Sequence, residues 1–222
     1  MSRGSDAVGR GVAIELLHWL RPLRFEEATD DASRREAFRL RYRAVVGEGL
    51  DSADRFPDGL EHDAHDDAAV QLVGWDGDHA VATCRLVFAQ PDRPFPLESA
   101  FALTLPSRER TVEWGRVAID SSRRGEGHRL VMGLAARGWQ AMEARGAAVA
   151  IGITPERLVA FFGTLGFPLT VLGPPRHYWG EERVPILCDG AAAAEALGRL
   201  WGGAPAASSS GDVAGDTRSS RG

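Results

Sequence analysis

A chain of 222 residues carrying 26 Lys and Arg against 31 Asp and Glu, with a net charge of −5, is long enough for one substantial core. It lacks the basic excess that grips nucleic acid. Its two cysteines, Cys84 and Cys188, form no CxxC spacing, which excludes a disulfide framework and a zinc-binding cysteine set and fits a reducing cytoplasm.

The run "GVAIELLHWL" predicts a short amphipathic helix ended by Pro22, within an N-terminal extension over residues 1–22. It is interrupted by Glu15 and His18, lacks a cleavage site, and nowhere in the chain is there a stretch of the ~20 apolar residues a membrane span needs. "LRFEEAT" reads as a strand, and "DDASRREAFRLRYRAVVG" as a helix with Ser33 as cap and Glu36 completing a capping box. "AVQLVGWDGDHAVATCRLVFA" is a hairpin turning at "DGD". "TVEWGRVAI" is a further strand, and "GHRLVMGLAARGWQAMEARG" a helix closed by Gly146. Then come a buried strand "AAVAIGI", a helix "TPERLVAFFGTLGF" with Thr154 as cap and Pro155 in its first turn, and a strand "LTVLG". Residues 203–222 are small and polar, the composition of a disordered tail. The domain therefore runs over residues 23–202 and is α+β, with a β–α–β–α–β second half.

Two stretches carry chemistry. "VAIDSSRRGEGHRL" leads from a strand through Gly125 and Gly127 into a helix. Free amides at a helix start seat a pyrophosphate or phosphopantetheine, although an ordinary strand-to-helix loop carries two glycines equally well. "EHDAHDD", residues 61–67, packs six ionisable side chains into seven positions. As a metal site it would use His62, Asp63, His65 and Asp66, but the histidines lack helical i, i+4 spacing. The other readings are a solvated acidic turn and a charge cluster neutralised by distant arginines.

The loop resembles the acyl-carrier motif of GCN5-related N-acyltransferases, with Arg124 and Gly127 in its first two fixed places and Arg129 where a final Gly or Ala belongs. A longer series of matches resembles the acyl-homoserine-lactone synthases of that superfamily. Their Arg-x-x-x-Phe is Arg34 to Phe38, and their acidic motif is Glu61, Asp63 and Asp66. Their strand arginine is Arg85, their loop Phe is Phe101, and their Glu-x-x-Arg is Glu113 and Arg116. Ala44 stands where that family has a Trp in its S-adenosylmethionine region. The N-acyl amino acid synthases, which use a free amino acid, share the helix, the acidic cluster and the Glu-x-x-Arg pair.

The resemblance implies an α/β/α acyltransferase domain with a mixed, largely antiparallel sheet splayed where the thioester enters. It implies transfer of a fatty acyl group from acyl carrier protein or acyl-CoA to the α-amine of S-adenosylmethionine, with lactone closure and methylthioadenosine release for quorum-sensing signals. No cofactor and no metal is implied, and the small amine acceptor and phosphopantetheine donor are the partners. Glu113 would accept the amine proton beside Arg116, with backbone amides from Gly115 to Val117 on the oxyanion. Arg34, Phe38, Glu61, Asp63, Asp66, Arg85 and Phe101 would form the acceptor site and ion-pair network. Arg124, Gly125, Gly127 and Arg129 would hold the carrier arm.

Other readings stand beside these. Glu113 also reads as a water-facing strand residue or an ion-pair partner of Arg116. The whole chain also reads as a catalytically silent acyl-binding domain. Trp114, Phe161, Phe162 and Phe167 are core candidates, His62 and His65 solvent-facing residues. Arg123, Arg124, Arg129 and Arg137 form a candidate face for an acidic carrier protein.

Overall fold

The computed structural model describes residues 3–105 and 107–202. In chain order these form α1 (Arg3–Trp19), β1 (Arg24–Glu27), α2 (Asp31–Gly47), β2 (Val70–Asp76), β3 (His79–Phe88), α3 (Pro96–Phe101) and β4 (Thr111–Ile119). There follow α4 (Gly127–Ala144), β5 (Val149–Pro155), α5 (Glu156–Thr164), β6 (Leu169–Val171), β7 (Arg176–Tyr178), β8 (Glu181–Asp189) and α6 (Gly190–Gly202). The strands make one sheet in the order β1-β2-β3-β4-β5-β8-β6, with β7 also on β8. Among the described residues only the β4–β5 pair is parallel. The fold is the mixed, largely antiparallel α+β domain that the sequence implies.

Alternation along the strands sorts side chains into two layers. Leu72, Cys84, Leu86 and Val112 face α4, where Leu130, Leu134 and Met142 meet them. Val87 and Ile151 face the opposite side and pack with Phe95 and Leu97 at the start of α3, while Val73 lies near Ala37 of α2. Two glycines set how closely α4 approaches the sheet. A Cβ at Gly133 would stand 2.1 Å from Phe25, and one at Gly138 2.1 Å from Trp114. The N-terminal helix is longer than its apolar run, and its Val12, Ala13 and Leu16 cluster with Ala136 of α4 and Leu197 of α6.

Several local expectations are corrected. Helix α2 is capped by Asp30, whose carboxylate accepts the Ser33 amide at 2.8 Å, rather than by Ser33 itself. Thr154 and Pro155 are the last residues of β5, paired with Val184 and Arg183, and α5 begins at Glu156. Edge-to-face ring contacts link Phe161, Phe162 and Phe167, but none of the three is fully buried, and Phe161 is 53% exposed. The strands β7 and β8 and the helix α6 were not anticipated as elements. The tail read from composition lies outside the described residues.

Two irregularities position the site. Register between β3 and β4 passes from Thr83↔Ala118 to Arg85↔Gly115, so β4 carries one extra residue, a bulge in which Arg116 has φ +53°. Pairing of β4 with β5 stops at Trp114↔Gly152. Beyond it β4 continues along β3 and β5 along β8, which opens the sheet.

Candidate active site

The acidic run folds as a turn tied to α2. The Glu61 amide donates to the Phe38 carbonyl at 3.1 Å, and Asp66 accepts the Asp63 amide on its carboxylate at 2.7 Å. Glu61 and Asp66 are each only 2% exposed, so their charges require nearby cations. Arg41, 1% exposed, bonds Glu61 and grips both oxygens of Asp66 at 2.8 and 3.2 Å. Arg85 reaches Asp63 at 2.7 Å and Asp66 at 3.1 Å. Arg116 reaches Glu61 at 3.1 Å and Asp63 at 3.0 Å. Three carboxylates thus share three guanidiniums. Gln71 adds an amide donor to Asp66 at 2.9 Å.

The resemblance supplied Arg34, Arg85 and Arg116 as candidate neutralising cations, and Arg41 was not among them. Arg34 instead donates to the Asp66 backbone carbonyl at 2.6 Å. Phe38 lies beneath the Arg34 and Arg41 guanidiniums, 5.9 and 5.3 Å from its ring centre. Arg41 stands three residues beyond Phe38, on the same helix face. That spacing is the signal that was available.

The bulge explains how Glu113 and Arg116 both join this cluster. In a regular strand, residues three apart point to opposite faces. The extra residue and the left-handed backbone at Arg116 turn its side chain to the Glu113 side, at a local conformational cost of about 1–3 kcal/mol. Arg116 is clamped there from the segment between β7 and β8, because Trp179 stacks on its guanidinium with 4.4 Å from ring centre to Cζ. Trp179 and Gly180, with φ of +50° and +78°, form the tight turn between β7 and β8 that presents the indole.

Glu113 sits on β4, 4% exposed, and accepts the Leu97 amide at 2.9 Å. Burial lifts its carboxyl to about 7, against the Leu97 hydrogen bond and the charges of Arg85 and Arg116. Asp63 and Asp66 go the other way. Burial opposes ionisation in both, but Arg85 and Arg116 around Asp63, and Arg41 and Arg85 around Asp66, hold them below the usual carboxylate range. Burial likewise opposes the charge on Arg116, and Glu61, Tyr178 and Asp63 outweigh it to raise its pKa.

Beside this network lies a cavity of about 430 Å³ that opens where β4 and β5 part. Arg41, Glu61, Arg85, Glu113 and Arg116 form its polar end, and Val117, Ile153, Pro155 and Leu158 line the splay. Ala44 and Trp179 border it too. Of the loop residues, Arg124 lines the cavity and pairs with Glu48 at 3.1 Å. A Cβ added at Gly125, or at Gly127, the first residue of α4, would meet nothing within 4 Å. Arg129 turns instead to Glu126 at 3.2 Å and the Trp19 ring. Phe101 is buried beside Tyr178 and Arg176, behind the cavity wall.

The arginines read as a carrier-protein face are each locally paired: Arg123 with Asp76 and Glu126, Arg124 with Glu48, Arg129 with Glu126 and Arg137 with Glu27. His62 is exposed, but His65 is only partly exposed, a correction to its solvent-facing assignment. Trp114 both packs against α4 at Gly138 and lines the cavity. Among the described residues no group of three or more His, Cys, Asp or Glu is placed to hold a metal ion, and no helix is long and apolar enough to cross a membrane.

Comparison with known proteins places this geometry. The family model described as N-acyl amino acid synthase FeeM matches residues 36–188. Among solved structures, the CoA-dependent acyl-homoserine lactone synthase BjaI with SAM and isopentyl-CoA is 24% identical with a TM-score of 0.62, covering 81% of this chain and 89% of its own. TofI in complex with an inhibitor and MTA is also 24% identical, with a TM-score of 0.60 and coverage of 79% and 95%. FeeM, an N-acyl amino acid synthase from uncultured soil microbes, is 15% identical with a TM-score of 0.58 and coverage of 76% and 91%. At these identities the structural likeness establishes the fold. No curated protein matches the chain significantly.

Proposed function

Because the chain belongs to the N-acyl amino acid synthase FeeM family and is an acyltransferase, we propose that it moves a fatty acyl group from a phosphopantetheine thioester to the α-amine of a free amino acid. The observation that carries this reading is Glu113. It is a buried carboxyl held near 7, lining the cavity at the splay together with Arg116. A group with that pKa accepts a proton at neutral pH and releases it afterwards.

In the proposed reaction the acceptor enters as an ammonium ion at the polar end of the cavity, where Glu61 and Glu113 stand among Arg41, Arg85 and Arg116. Glu113 takes its proton, directly or through one water. The neutral amine attacks the thioester carbonyl, and backbone amides from Gly115 to Val117, where β4 has left β5, serve the oxyanion. Collapse expels the thiolate of the carrier arm, which takes up a proton, and the amide is formed. Arg124, at the cavity edge, is the proposed contact for the arm. Hydrophobic side chains of the splay, Val117, Ile153 and Leu158, would line the acyl chain.

A second reading keeps S-adenosylmethionine as the acceptor, with its carboxylate then attacking its own γ-carbon to close a lactone and expel methylthioadenosine. It is compatible with the clustering of Arg34, Phe38, Asp63, Asp66 and Arg85 around one turn, the arrangement that carries the resemblance to the acyl-homoserine-lactone synthases. Ala44 on the cavity wall favours the amino acid, since it stands where the S-adenosylmethionine-using synthases have a Trp. Mass spectrometry after incubation with a fatty acyl thioester and either a mixed amino-acid pool or S-adenosylmethionine separates the two. An N-acyl amino acid is the expected product. An acyl lactone with methylthioadenosine would establish the second reading, and neither product would refute both.

A further inference from the structure

Behind the cavity lining, buried Glu98 and half-buried Arg108 form a pair that holds the amide facing Glu113. Glu98, 4% exposed, is in the first turn of α3 and reaches back to accept the Phe95 amide at 2.9 Å. It also accepts the Leu105 amide at 3.0 Å, and Arg108 completes it with a contact of 2.8 Å. Burial opposes its charge, but the Leu105 and Phe95 amides and Arg108 hold it ionised, below its ordinary range. One carboxylate therefore ties both ends of the segment that carries Leu97. The Leu97 amide lies between those anchors and donates to Glu113 across to β4.

We infer that the Glu98–Arg108 pair is a positioning device for Glu113, fixing the Leu97 amide against the carboxylate that takes the substrate proton. The groups facing Glu113 are Leu97 on α3, Arg85 on β3, Arg116 on β4 and Asp63 on the acidic turn. Of these, Leu97 donates to Glu113 from a backbone amide whose segment another side chain anchors. Burial drives the Glu113 pKa up, and this amide opposes it by favouring the ionised form. The pair would thereby keep Glu113 usable as a base at neutral pH. The inference rests on the proposed role of Glu113 in acyl transfer.

The test is Glu98→Asp, which keeps the charge but shortens the reach to Phe95 and Leu105. The Glu113 carboxyl is followed by carbon NMR, its resonance assigned as the one lost in Glu113→Gln, and its titration is compared with the pH profile of kcat/KM. We expect both midpoints to rise by about one pH unit in Glu98→Asp, as loss of a hydrogen bond to the ionised form requires. The double variant Glu98→Gln/Arg108→Gln removes the pair without changing net charge and should give the same rise. It serves as the deciding variant if Glu98→Asp does not fold. A merely structural pair would lower activity at every pH and leave both midpoints in place, which would overturn the inference. If the NMR midpoint rises while Glu113→Gln turns over at the wild-type rate, the positioning of Leu97 stands and the catalytic reading of Glu113 fails.

Discussion

Replacing Arg41 with Met isolates the energetics of the buried network. Met follows much of the Arg stem and keeps its apolar packing, but it removes the bond to Glu61 and both bonds to Asp66. The carboxylates do not become wholly unpartnered. Glu61 retains Arg116 at 3.1 Å, and Asp66 retains Arg85 at 3.1 Å and Gln71 at 2.9 Å. Even so, three acids would then share two cations where water cannot screen them, and breaking such a pair costs about 3–5 kcal/mol. The pH dependence has a definite sign. Asp66 is held below its ordinary pKa in the folded protein, so its contribution is present above the unfolded value near 4 and is lost as pH falls through the folded value. The penalty of Arg41→Met should therefore be full at pH 7 and shrink toward pH 3, where the stranded carboxylates protonate. Urea unfolding at both pH values reads this directly, with Arg39→Met as the control, because Arg39 pairs with Glu36 in solvent. A loss at pH 7 below about 1 kcal/mol, or one equal to that of Arg39→Met, would refute the network's role in stability.

Three further outcomes are expected. Glu113→Gln should be more stable than wild type above neutral pH. Its carboxyl moves from the ordinary 4.5 to about 7 on folding, so wild-type stability falls as pH rises through that window, by about 3 kcal/mol if the whole shift is realised; thermal melts of both proteins from pH 4 to 8 check the divergence. Gly138→Ala should destabilise by about 1–3 kcal/mol, because its Cβ meets Trp114 at 2.1 Å and either the indole or α4 must move; chemical denaturation measures it, and a neutral result would mean that this contact yields freely. Cys84, buried and raised to about 12, should resist alkylation in the folded protein at pH 8 and react on unfolding, as thiol labelling with and without urea would show.

Much of the architecture was legible because its signals are local. The turn at Gly77 between two apolar runs announced the β2–β3 hairpin, and the stripe ending at Gly146 announced α4. The site was legible as residue types and spacing but not as geometry. "EWGR" gives no sign of the bulge that brings Glu113 and Arg116 to one side, since β-bulges arise from the register of two strands. Arg41 was hidden among the arginines of α2, which differ only in the face they occupy and in what the acidic turn lays against them. Glu98 was overlooked because its partners, Leu105 and Arg108, come together only when the segment after α3 folds back. Trp179 belongs to a turn so short that neither flanking strand shows a strong apolar alternation. The bulge and Arg41 concern contacts between residues far apart in the chain, where chain order alone carries little information.

The role of Glu113 is tested most directly by single-turnover acyl transfer in Glu113→Gln at saturating donor and acceptor. The substitution keeps the size of the side chain and its capacity to accept the Leu97 amide, but removes proton acceptance at the floor of the cavity. The account predicts a chemical step slower by roughly 10²–10⁴-fold, with little change in acceptor or donor affinity, and an inflection near 7 in the wild-type rate profile that the variant's profile lacks. A variant that forms amide at the wild-type rate would contradict it, and would leave Glu113 as no more than the partner of the Leu97 amide.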